Sequence, residues 1–109
     1  LMQTTHKDDS ILLDIISKAK NLKKVLRECN CTCETEFLFL PLSTRDLCLG
    51  YLFDIHELAD NLSEDIKGKL IFMESHFMVQ VLKETGCTTS IISPSLTYRV
   101  IKPILDFVS

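Results

Sequence analysis

The sequence predicts an all-α chain: an up-up-down-down four-helix bundle with two long crossovers carrying a short two-stranded antiparallel β-ribbon. Three observations carry this. Four segments, at about residues 10–29, 44–61, 63–85 and 94–108, repeat apolar residues at three- and four-residue steps. The connection between the second and third is short, around Asn61 to Glu64, which makes those helices antiparallel neighbours, whereas the connections before the second and the fourth are long. Each long connection holds a strand-like stretch, Phe37-Leu38-Phe39-Leu40 and Ser90-Ile91-Ile92. Residues 1–109 form one domain, a length that allows a single core of modest size.

The first helix sets Ile11, Leu12, Ile15, Ile16, Ala19, Leu22 and Leu26 on one face and Lys20, Lys24 and Arg27 opposite, a basic stripe that reads as a solvated face. Asp14 stands near the edge of the apolar face, among Leu12, Leu13, Ile15 and Ile16, where a carboxylate can serve a partner. After a turn-like CNCTCET stretch, Ser43-Thr44-Arg45-Asp46 starts the second helix in the manner of a capping box. Its core face is Leu47, Cys48, Tyr51, Leu52, Ile55, Leu58, Ala59 and Leu62. Its acidic face is Asp46, Asp54, Glu57 and Asp60, flanked by Leu49 and Phe53.

The third segment organises the rest. Ile66, Leu70, Met73, Phe77 and Val81 stack on one face, and Ile71, Met78 and Leu82 line a neighbouring one. That leaves a narrow polar stripe of Lys69, His76, Gln80 and Lys83, so this helix is expected to be covered from at least two sides. Ser63 caps its start and Gly86 its end. The fourth helix is capped by Ser93, with Pro94 in its first turn and Leu96, Val100, Ile101, Ile104, Phe107 and Val108 as its apolar face. Pro103 predicts a kink or a break near residues 99–102.

Composition excludes several functions. With 46% hydrophobic and 25% charged residues and few Gly or Pro, the chain is built to fold. A net charge of −3 without a dense Lys/Arg cluster argues against nucleic acid as a partner. No apolar run approaches the roughly 20 residues that span a bilayer, so no membrane insertion is expected. The chain starts at Leu1, which reads as a processed form or a fragment.

Phosphate loops, paired catalytic carboxylates and thiol–histidine signatures are missing; the chain reads as a non-enzyme without a cofactor. Cys29-x-Cys31-x-Cys33 invites zinc with His56 or His76 as a further ligand, but the spacing departs from the paired C-x-x-C pattern, and no metal is expected. His76 reads as a partly buried, hydrogen-bonded histidine. The five cysteines suit either reduced core thiols inside a cell or disulfides in a secreted protein, with an odd one left over. Sequons at Asn30 and Asn61, both at predicted helix ends, are glycosylation candidates and lean towards secretion.

Cys48-Leu49, Lys67-Gly68-Lys69-Leu70, Met73, Ser75-His76-Phe77 and Gly86-Cys87-Thr88-Thr89-Ser90-Ile91-Ile92 occur in an order and spacing that resemble the second half of the granulocyte-macrophage colony-stimulating factor family. The Leu12-Leu13-Asp14-Ile15-Ile16 start and the cysteine positions are similar to short-chain four-helix cytokines more widely, including interleukins 2, 4, 5 and 15. The resemblance implies secretion and a disulfide between Cys48 and Cys87. Such a bridge stabilises by about 3 to 4 kcal/mol in the chain-entropy picture. It further implies that Asp14 contacts a shared signalling receptor chain and that Asp106, on the fourth helix, contacts a specific one. The family's second disulfide has no match, since Cys29, Cys31 and Cys33 crowd the first crossover instead.

The expected function is therefore a secreted helical cytokine or growth factor that brings type I cytokine receptor chains together to trigger signalling. The alternative is an intracellular all-helical interaction module, a fragment of a helical-repeat scaffold with reduced thiols. The sequence leaves open the receptor, the pairing of Cys29, Cys31 and Cys33, and whether the chain is a monomer or a dimer.

Overall fold

The computed structural model describes residues 6–84 and 94–108, and the described residues form an all-α fold. Six helices follow one another: α1 His6–Glu28, α2 Glu34–Leu38, α3 Leu42–Asp60, α4 Glu64–Lys67, α5 Met73–Glu84 and α6 Pro94–Phe107.

α1 ends where its sequence stops supplying right-handed backbone. Asn30 adopts φ 56°, a left-handed conformation that asparagine tolerates better than most side chains. The Asn30 N–H then donates to the Arg27 carbonyl at 3.0 Å and the Cys31 N–H to the Leu26 carbonyl at 2.8 Å, the paired bonds of a Schellman ending. Leu26 and Cys31, one on each side of that turn, are both buried.

The expected β-ribbon does not form from the first crossover, because Phe37-Leu38-Phe39-Leu40 lies in and just after α2 and no strand occurs among the described residues. A strand would bury alternate residues. Here Phe37 is fully buried while Phe39 is 83% exposed, and Leu40, three residues on, is half-buried, which is helical spacing. Glu34 and Glu36 favour the positive start of the helix, and the Glu36 carboxylate accepts hydrogen bonds from the Thr32 N–H, at 2.7 Å, and from the Thr32 hydroxyl. The second strand candidate, residues 90–92, lies outside the described residues.

The up-up arrangement is corrected by two contacts. The Ser63 N–H donates to Asp8 Oδ1 at 3.2 Å, and Lys18 Nζ stands 3.6 Å from Asp54 Oδ2. Rising along α1 is descending along α3, so the first two long helices are antiparallel. A parallel return would have to span the ~35 Å length of α1. Instead, five of the connecting residues coil into α2, where the chain advances only about 1.5 Å per residue.

The remaining neighbours alternate in the same way. Lys83 lies 2.7 Å from Glu57 and His76 lies 3.1 Å from Asp60, so α5 runs against α3. Phe72, just before α5, meets Phe107 at the end of α6 edge to face, with centroids 4.7 Å apart. α2 docks on the start of α6 through Phe37 and Tyr98, and α6 closes the ring against α1.

The third predicted helix is broken. Residues 68–72 separate α4 from α5, at Lys67-Gly68-Lys69 where an interior glycine costs helix about 1 kcal/mol relative to alanine. The predicted core face of this segment holds only in part: Ile66, Leu70 and Met73 are half-buried against the core, but Phe77 is 62% and Ile71 71% exposed, while Phe72, Ser75, His76 and Val79 are buried. The other faces agree with their periodicity except at Leu47, assigned to the core face of the second helix but 49% exposed, since it lies about 100° round α3 from the buried Cys48. Ile15, Ala19, Leu22 and Leu26 from α1, Cys48, Leu52, Ile55 and Ala59 from α3, and Val100, Ile101 and Ile104 from α6 fill the core. Leu49, placed on the flank of the acidic face, is buried as well. α6 continues through Pro103 as one helix.

Candidate functional site

Asp14 is exposed on α1, at a shallow groove between α1 and α3 that Lys18, Asp54, Glu57, Leu58 and Asn61 also line. Lys18 is already engaged by Asp54, and among the described residues no cation pairs with Asp14. Its neighbour Leu13 is exposed as well. Asp106 lies elsewhere, on a second groove between α2 and α6 with Cys33, Glu34, Tyr98, Arg99 and Lys102. The two carboxylates assigned to receptor contact therefore occupy separate faces.

Cys48 is fully buried in α3, and burial, followed by the neighbouring Cys29 and Cys31, pushes its thiol up to about 12. Cys31 is raised too, by burial first and Glu36 next. Cys29 and Cys33 are exposed, and Cys29, Cys31, Cys33 and Cys48 are free thiols. Cys87 lies outside the described residues, as does any geometry of a Cys48–Cys87 bridge. Of the sequon residues, Asn30 is exposed at the end of α1, and Asn61, also exposed, donates through Nδ2 to the Glu57 carbonyl at 3.0 Å.

The three cysteines and the histidines considered with them are not brought together. His56 and His76 meet each other instead, at the contact of α3 with α5. Their rings stack with centroids 4.4 Å apart and their Nδ1 atoms 3.2 Å apart. Asp60, one helical turn beyond His56, spans both far edges: Oδ2 is 3.4 Å from His56 Nε2 and Oδ1 is 3.1 Å from His76 Nε2. Both rings are buried and the carboxylate is half-exposed, so the group has a dry side and a wet side. Burial chiefly, and then His56, lowers the His76 pKa, with Asp60 acting in the opposite direction. Beside this group, Lys83 bridges α5 to Glu57 and holds that carboxyl below its usual range, by hydrogen bond first and charge second.

Sequence reasoning found His76 as a buried, hydrogen-bonded histidine but put it on a water-facing stripe and missed its partners. The available signal was His56-x-x-x-Asp60, two polar residues on one helical face immediately before a short connection to an antiparallel helix that carries His76. Compared with known proteins, the chain matches no family model, no curated protein and no solved structure.

Proposed function

We propose that this bundle is a signalling ligand, a helical cytokine or growth factor that acts outside the cell by bringing two type I cytokine receptor chains together. The observation that carries the reading is the pair of exposed carboxylates without a cation of their own: Asp14 on the groove between α1 and α3, and Asp106 on that between α2 and α6. Two exposed carboxylates on separate faces, the second in a groove of mixed charge with Arg99 and Lys102, suit a ligand that holds two chains at once. At the centre of an interface, a carboxylate hydrogen-bonded to a receptor Arg or Lys costs about 2 to 5 kcal/mol of binding when removed.

The antiparallel packing of α1 against α3 favours a second reading, the intracellular helical interaction module, since the cytokine resemblance implies a parallel first pair. The two part in one experiment. The chain is expressed in a secretory host, mapped by mass spectrometry without reduction, and passed over type I cytokine receptor ectodomains as wild type, Asp14→Arg and Asp106→Arg. The cytokine reading expects a Cys48–Cys87 crosslink and a receptor whose binding falls at least tenfold with Asp14→Arg. Free thiols at both positions together with no binding receptor would transfer the chain to the module class.

A further inference from the structure

His56, Asp60 and His76 bring three metal-ligating side chains together where α3 meets α5. The Nδ1 atoms of the two rings share a hydrogen bond at 3.2 Å and His76 Nε2 donates to Asp60 Oδ1 at 3.1 Å, which uses one N–H from each neutral ring. His56 Nε2 stands 3.4 Å from Asp60 Oδ2 without hydrogen-bond geometry and is left as a lone pair facing a carboxylate oxygen. A cation between the Nε2 edges and the carboxylate would be met by a donor atom from each residue.

We propose that His56 Nε2, His76 Nε2 and an oxygen of Asp60 form a binding site for a divalent transition-metal ion of the zinc type, with a fourth position open to water.

The distances suit that ion. Ligands about 2.0–2.1 Å from a tetrahedral zinc stand about 3.3 Å from one another; His76 Nε2 lies 3.1 Å from Asp60 Oδ1 and His56 Nε2 3.4 Å from Asp60 Oδ2, so each ring edge is at ligand spacing from one of the two carboxylate oxygens. One ligand atom from each of the three residues lies within 4.8 Å of the other two, so the closure needed is small. Two imidazoles and one carboxylate are a donor set for zinc, copper or nickel rather than for calcium or magnesium, which take oxygen ligands. The half-exposed Asp60 marks the side from which the ion enters and the open position faces water.

Two ligands come from α3 and one from α5, so the ion ties these helices together. Binding through both Nε2 atoms moves the ring protons onto the two Nδ1 atoms, and the rings must part there as the ion enters. This site is independent of the receptor reading.

The full chain, with its exposed Cys29 and Cys33 capped by iodoacetamide so that thiolates there do not compete, is titrated with zinc chloride near neutral pH. Expected are one ion per chain and a rise in thermal midpoint on the order of 10 °C at an excess of about 100 times the dissociation constant. His76→Gln and Asp60→Asn should each weaken binding by about tenfold or more. Asp60 is half-exposed, so Asp60→Asn keeps its fold and its result stands even where His76→Gln destabilises the core. Zinc affinity unchanged in both variants overturns the proposal, and so does an absence of zinc binding by the wild-type chain.

Discussion

Replacing Phe72 and Phe77 separately by alanine tests the packing of α5 most directly, because the two residues exchange roles between periodicity and structure. Phe72 is 1% exposed and meets the Phe107 ring edge to face. Truncating a buried phenylalanine typically costs about 3 to 5 kcal/mol, to which loss of the aromatic pair adds about 0.5 to 1.5 kcal/mol. For a domain of this size about 4 kcal/mol lowers the thermal midpoint by roughly 15 °C, enough to leave Phe72→Ala barely folded at 37 °C from an ordinary starting stability. Phe77 is 62% exposed, and its truncation should fall within about 0.5 kcal/mol of zero. The assay is urea unfolding followed by far-ultraviolet circular dichroism, with the midpoint and slope of each variant compared. Equal losses for the two variants, or a larger loss for Phe77→Ala, would refute the orientation of α5 and with it the burial of His76.

Two further outcomes follow from local geometry. Asn30 holds a left-handed backbone, so Asn30→Val should destabilise by about 1 to 2 kcal/mol while Asn30→Gly is neutral or slightly stabilising, as read from thermal midpoints. In the reduced chain, iodoacetamide should label Cys29 and Cys33 rapidly and leave Cys31 and Cys48 until the fold opens, checked by mass spectrometry. In the reduced chain the Cys48 thiol rises from 9.0 to about 12 on folding, so its contribution to stability is complete below pH 9 and is lost as pH rises towards 12. Over that window stability should fall by up to about 1.4 kcal/mol per pH unit, and Cys48→Ala should flatten the fall.

The helical class and three of the four apolar faces were legible because each depends on spacing inside one helix. Ile15, Ala19 and Leu22, or Val100, Ile101 and Ile104, need no knowledge of the neighbours to be assigned inward. The direction of α1 against α3 was not legible, since it depends on how far the connecting residues reach. Reading Phe37-Leu38-Phe39-Leu40 as extended gave that connection a length that α2 takes away. One wrong local assignment thus produced both the missing ribbon strand and the wrong bundle order.

A single break explains the other two failures together. Read as continuous, residues 63–85 put Ile66, Leu70, Met73, Phe77 and Val81 on one stripe, and that stripe leaves His76 in water. Almost any face of this segment is apolar enough to be the buried one, so hydrophobicity alone does not choose. The interruption at 68–72 frees α5 from the phase of α4, and α5 then buries Phe72, Ser75, His76 and Val79. At about 100° per residue this face lies roughly 150° round the helix from the predicted one. That one rotation turns Phe77 outward and carries His76 onto His56 and Asp60. Lys69, Gln80 and Lys83 of the polar stripe do meet water, but His76 supplies the candidate metal site instead, because the antiparallel turn after Asp60 brings it against the acidic end of α3.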